Sequence, residues 1–419
     1  MAGGILLGCW YGSLARGELE VYTSLFASNI SITGNVKEDP TRNAKNQLVL
    51  QLDHIEIDKH YLVGTVWVSI LGYSDIKRGD IVTVSGIFDK GFGTFAGVIY
   101  TAKVVSIQRP EPGDVGRKVR DWFASSIRRA IPEPQASLGI GYLTGQKSAL
   151  PTELSEALQI AGLSHVVVAS GYNLTILVRL ARRLFMRISK FVSALASSIM
   201  IASFVAMTGL SPSMSRAGLV SGLSLISWYY GRRFHPFVLL PLAAAITVAF
   251  QPSYAWGDVG WQLSFSAFAA VMIVGPLLQR FFFGEKEPGI IRQILGETVA
   301  AHIVTIPIVV ASFGVISNVA IIANLLIVPL VPLAMLLTFI SGIATLILDP
   351  IASIIALPAT WLLTYMTTTA TYLADLPWAQ IEFSASWWMI LLYYLFLIII
   401  CIMMQRVSKF QLREVNIVA

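Results

Sequence analysis

From residue 30 to residue 107, apolar and polar positions alternate with a period of two, in runs at 30–36, 48–57, 62–70, 81–87 and 98–107. That period sends successive side chains to opposite faces of a strand, so each run predicts a β-strand. Turn residues separate the runs: Asp39-Pro40, Lys77-Arg78-Gly79-Asp80 and Lys90-Gly91-Phe92-Gly93. Five short strands with no helical period among them predict a small closed barrel at 28–109. The oligonucleotide/oligosaccharide-binding (OB) architecture is the leading form of such a barrel.

Beyond residue 160 the alternation gives way to long apolar runs. Nine are drawn as membrane spans, at 163–181, 191–210, 213–231, 236–251, 259–281, 294–316, 324–347, 351–374 and 384–404, against about 20 residues per bilayer crossing. The fold expected is an α-helical polytopic membrane protein, some helices broken or re-entrant, with an N-terminal all-β OB-like barrel. Residues 110–160 predict linker and interfacial helices. There Arg117, Lys118, Arg120, Arg128 and Arg129 oppose Trp122, Phe123 and Ile127, the pattern of an amphipathic helix at lipid headgroups. Residues 1–27 form a short apolar segment whose first 15 residues cannot span alone; they read as signal-like, or as the tail of a span begun upstream. Residues 405–419 predict a basic cytoplasmic tail.

Composition agrees with this division. The 419-residue chain is 55% hydrophobic and 13% charged, about half the charged share of an ordinary soluble domain, which excludes a wholly soluble protein. Residues 1–135 carry 15 Lys/Arg and 14 Asp/Glu, and residues 136–419 carry 15 and 10. The net charge of +6 therefore arises mainly in the membrane half and reads as a topology signal. The span from Gly162 ends in Arg179, Arg182, Arg183, Arg187 and Lys190 without an acid. With the nine spans drawn, 13 of the 15 cations after residue 135 fall on one side, predicting that face as cytoplasmic and the barrel as extracytoplasmic. Cys9 and Cys401 fit no zinc or redox spacing.

Polar residues within the spans are few: His165, Ser170, Asn173, Arg216, Gln262, His302, Asn318 and Asn324. Such residues usually face a protein interior or a pathway. In the barrel, Tyr61, Trp67, Phe88, Phe92, Phe95 and Tyr100 are candidates to stack on bases, and Lys37, Arg42, Lys45 and Lys59 to meet phosphates. Catalysis is not expected. The five histidines show no metal grouping, and no P-loop is present. A serine nucleophile at Ser170 with His302 as base lacks both the strained Gly-x-Ser-x-Gly turn and a third orienting group.

Four stretches resemble the ComEC/Rec2 family of competence proteins. They are 143–151 (LTGQKSALP), 161–171 (AGLSHVVVASG), 258–265 (DVGWQLSF) and 317–330, which contains Ala323-Asn324-Leu325-Leu326. The family pattern continues after Ser-Gly with Leu-His, where this chain has Tyr172-Asn173. Many members also carry a metallo-β-lactamase-like domain after the spans, which is not expected in this chain. The resemblance implies a non-enzymatic, cofactor-free channel in the bacterial inner membrane that passes single-stranded transforming DNA to the cytoplasm. His165, Ser170, Gly171, Asn173, Arg216, Gln262, His302, Asn318 and Asn324 are candidates for its lining, and the barrel would receive the strand. It further implies a cytosolic ATP-driven DNA translocase, an outer DNA receptor and a separate nuclease as partners. Two other readings stand beside it. A transporter of small molecules or lipid intermediates would need paired charges at the midplane, which the sequence lacks; a structural platform for uptake proteins would not.

Overall fold

The computed structural model describes residues 12, 13, 17, 19–43, 47–57, 59–72, 75–111, 113–146, 150–167, 171–209, 212–231, 236–284 and 289–408. Lys45, Ser170 and the basic tail beyond residue 408 lie outside them. The five predicted strands form at β1 (Ser28–Val36), β2 (Leu48–Ile57), β3 (Val66–Ile70), β4 (Ile81–Lys90) and β5 (Gly97–Gln108). β1 pairs antiparallel with both β2 and β4, β4 with β5, and β2 with β3, while β3 and β5 run parallel and close the ring. Alternation sets the inward face: Leu50, Leu52, Val66, Val68, Val82, Val84 and Ile99 are fully buried. On β2 the inward set shifts by one residue between Leu52 and Ile55. The extra residue is His54, at φ 49°, as a bulge requires.

Phe88, a candidate for stacking on DNA, belongs to this core instead. It is fully buried and packs its ring 5.7 Å from Tyr22 and 5.8 Å from Phe26. A Cβ on Gly97 would stand 1.9 Å from the Phe88 ring, so glycine opposite makes the space. Tyr22 lies on a single 3-10 turn, Glu20–Leu25, so part of the N-terminal segment caps the barrel.

The segment after the barrel forms helix α1 (Val115–Ala130). Of the five cations expected at the headgroups, Lys118, Arg128 and Arg129 are exposed, whereas Arg117 and Arg120 are buried, 8% and 1% exposed, and are spent on the barrel's acids. Arg120 grips both Asp39 oxygens, one at 3.0 Å, and also meets Asp121. Arg117 donates to the Arg78 carbonyl at 2.6 Å and lies 3.5 Å from the Asp80 carboxylate. Arg78 in turn pairs with Asp114, the N-cap of α1, at 2.6 Å. Its other nitrogens donate to the carbonyls of Ala206 and Met207, at 3.1 Å each. On its other face α1 sets Phe123 and Ile127 against Gly342. Helix α1 thus bolts barrel to helices.

The helices that follow are α2 (Gln135–Thr144), α3 (Thr152–Ile160), α4 (Gly171–Phe185), α5 (Lys190–Thr208), α6 (Pro212–Tyr229), α7 (Pro236–Phe250), α8 (Val259–Phe283), α9 (Ile290–Phe313), α10 (Ala320–Ile327), α11 (Val331–Ile347), α12 (Leu357–Ala374) and α13 (Trp387–Ser408). Among the described residues five helical stretches are long and apolar enough to cross a bilayer: Lys190–Thr208, Val259–Phe283, Ile291–Phe313, Ala320–Ile347 and Trp387–Ser408. The other four runs drawn as spans became shorter or more polar helices. α4 and α7 have 15 residues each; α6 and α12 have 18 but are diluted by serine, threonine and, in α6, Arg216. Of the run at 163–181, the described residues form a turn at Ser164–Val167 and then α4. That at 324–347 begins earlier and kinks through Val328–Leu330, where Pro329 and Pro332 interrupt the hydrogen-bond ladder. α2, in the stretch read as linker, is buried from Ala136 to Thr144 against Thr338 and Leu363.

Two expected outcomes test the bolt. Removing one member of a buried ion pair leaves an uncompensated charge, at a cost of about 3–5 kcal/mol. Arg120→Ala should therefore lower the thermal midpoint of the detergent-purified protein by several degrees, while Arg120→Gln with Asp39→Asn recovers part of the loss. Burial pushes the Asp114 carboxyl up, but hydrogen bonds from Arg78 and the Arg117 N–H outweigh it and hold its pKa below the usual value. A depressed carboxyl stabilises the fold above its unfolded pKa and loses that contribution as pH falls through its folded one. Protection of the amides at the start of α1, taken relative to their intrinsic exchange rates, should thus stay high at neutral pH and fall only below about pH 4.

Candidate functional site

The polar residues singled out within the helices divide into two kinds. Four amides are engaged with backbone. Asn173, fully buried, donates to the Tyr142 carbonyl at 3.1 Å, and Asn324 donates to Ala320 in its own helix at 2.8 Å. Asn318 donates to the Trp378 carbonyl at 2.8 Å, steadying a two-stranded ladder of β6 (Val315–Ser317) and β7 (Gln380–Glu382). Gln262 reaches the Ala255 carbonyl at 3.3 Å. Each amide is thereby tied to the main chain, Asn173 and Asn324 in buried surroundings and Gln262 and Asn318 in exposed ones.

Arg216 and the two histidines are different. Arg216 projects from the first turns of α6 and is 8% exposed. Its guanidinium lies 5.7 Å from the Phe265 ring centre and 5.5 Å from that of Phe268, both on α8. Its Nη2 stands 3.5 Å from where a Cβ on Gly171 would be, an ordinary contact distance that places it against α4. Its Nε has no hydrogen-bond partner among the described residues. His165 sits on the turn before α4, hydrogen-bonds the Gly162 carbonyl and lies within electrostatic reach of His302 on α9. Gly162 also lies against Ala320, where a Cβ would meet the alanine at 2.6 Å, with Ser317 Oγ beside it. The residues of 161–165, 302 and 317–320, apart in sequence, therefore meet in one region of the helical domain.

A second group lies outside the helices. On the barrel surface Trp67 (β3) meets Tyr100 (β5) at 5.8 Å and Phe92 at 5.9 Å, and Phe92 meets Phe95 at 5.2 Å, all edge to face. Tyr100 and Phe92 are about half exposed. Phe92 and Phe95 lie on the β4–β5 loop, and that loop touches the helical domain: a Cβ on Gly93 would stand 2.8 Å from the Gly257 carbonyl. Beside this contact Lys37 of the barrel faces Asp258, the N-cap of α8. Burial pushes the Asp258 carboxyl up, against the pull of the Trp261 N–H and of Lys37. Lys59 and Arg42 are exposed on the barrel. The aromatic ridge thus runs from the free barrel surface to the start of α8. Sequence reading found its members but not the Gly93–Gly257 junction, which joins two loops far apart in the chain with no charge or pattern to mark them.

A family model described as Competence protein matches residues 142–407. These include His165, Arg216 and His302 but not the barrel. ComE operon protein 3 of Bacillus subtilis (strain 168) is 24% identical over 291 residues, 65% of this chain and 35% of that protein. The chain spans about a third of the length of that curated relative. No solved structure matches. With the match extending over more than half of the sequence and taking in every helix from α4 to α13, the chain belongs to the Competence protein family.

Proposed function

We propose that this chain is a multi-pass component of the bacterial cell membrane that admits single-stranded DNA during natural competence. The observation that carries the reading is the partly exposed ridge Tyr100–Trp67–Phe92–Phe95, which ends where the barrel meets the family's helical domain. The strand order, with β3 and β5 parallel and β1 closing on β2, supports an OB-type barrel, whose exposed strands and loops bind single strands. Aromatic stacking accepts every base, at about 1–3 kcal/mol per base, and so suits DNA of any sequence. The polar residues of the nine drawn spans shape the onward route. No covalent step is assigned to the chain. A cytosolic ATP-driven translocase pulls the strand, an outer receptor delivers it, and a separate nuclease removes its complement.

The arrangement of charge supports an extracytoplasmic barrel. Arg78 of the barrel binds the carbonyls that end α5, whereas Arg179 to Lys190 lie at its start. Nineteen residues, about 28 Å at 1.5 Å per residue, separate the two ends. If positive charge marks the cytoplasm, the barrel faces out.

Three results test the proposal. A strain lacking the protein should fail to internalise labelled DNA while still binding it at the surface; normal internalisation would refute the role. Trp67→Ala with Tyr100→Ala should weaken binding of a labelled single-stranded oligonucleotide to the nanodisc-embedded chain at least tenfold, read by anisotropy. With Cys9 and Cys401 replaced, Val105→Cys should react with an impermeant maleimide on intact cells, and Arg183→Cys only after permeabilisation.

A further inference from the structure

Arg216 poses an electrostatic problem that its surroundings do not solve. A guanidinium taken out of water ordinarily recovers the lost hydration from a carboxylate or from a full set of acceptors. Arg216 is more than nine-tenths buried, and among the described residues it has neither an ion pair nor a hydrogen bond. Its partners are two phenylalanine ring faces, which attract a cation but accept none of its five N–H groups in a strong bond. Gly171 of α4 lies beside it, where an added Cβ would stand 3.5 Å from Nη2. A guanidinium held only by ring faces keeps its N–H groups for whatever anion reaches it.

We infer that Arg216 forms a phosphate-binding station within the helical domain. The inference rests on the proposed passage of DNA, and it names the group that the passage recognises: one backbone phosphodiester at a time. The planar fork of arginine matches two phosphate oxygens. Phe265 and Phe268 hold the fork in place between phosphates, and because they are weak partners they yield to an arriving phosphate and take the guanidinium back when it leaves. A carboxylate at the same place would compete with the phosphate, and none is paired with Arg216. Such a station admits a polyanion without trapping it, the balance conduction requires.

The test has two arms. In detergent-purified full-length protein, inorganic pyrophosphate should raise the thermal midpoint above that in chloride of matched ionic strength, and Arg216→Gln should remove most of that rise. No rise in the unsubstituted protein, or an equal rise in both, overturns the inference. In cells, Arg216→Ala at normal membrane abundance should reduce internalisation of labelled single-stranded DNA at least tenfold, with Arg216→Lys intermediate because it keeps the charge and loses the fork. Uptake within twofold of the parent for Arg216→Ala overturns it as well. If the strain lacking the protein takes up DNA normally, the proposed function fails, whereas an Arg216-dependent response to pyrophosphate would still establish the anion site.

Discussion

One cluster of buried ion pairs ties the barrel to the helices around it. Arg78 with Asp114, Arg117 with Asp80, and Arg120 with Asp39 tie the barrel to α1, and Arg78 carries the tie onward to the end of α5. Buried pairs of this kind contribute little net stability over well-packed apolar residues, but they penalise any other arrangement heavily. They therefore fix orientation more than they add strength. The fixed orientation sets the β4–β5 loop against the start of α8, and with it the end of the aromatic ridge.

Inside the helical domain the rule is economy. Asn173, Asn324, Asn318 and Gln262 each give a hydrogen bond to a main-chain carbonyl, and the serine and threonine hydroxyls mostly bond back along their own helices. Such groups shape broken and kinked segments. Against that background an arginine bonded to nothing but ring faces stands apart, because a bilayer protein has no cheap way to keep one.

Period-two alternation located all five barrel strands, and the same parity that buries Val82 and Val84 also buries Phe88, two steps further on the same face. Treating Phe88 as a stacking candidate ignored that parity in favour of residue type. The apolar runs located the helices after residue 170 closely, except where Pro329 and Pro332 moved a start. The ion-pair cluster was not readable. Asp39 and Arg120 lie 81 residues apart, and a helix basic on one face and apolar on the other has the same pattern whether that face meets lipid headgroups or aspartates. The solitude of Arg216 was equally hidden, since a missing neighbour in sequence says nothing of distant acids brought close by folding. The meeting of residues 161–165 with 302 and 317–320 needed the tertiary structure, although the resemblance had marked two of those stretches.

The central claim is that a single strand runs along the barrel's aromatic ridge and then past Arg216. Photocrosslinking during uptake tests it most directly, with a benzophenone side chain placed at Phe92, at Phe268 beside Arg216, or at Leu392 on the exposed face of α13. Labelled DNA in transit should be captured at Phe92 and Phe268 and not at Leu392. Capture at Leu392 alone, or at none of the three in cells that are internalising DNA, would contradict the account.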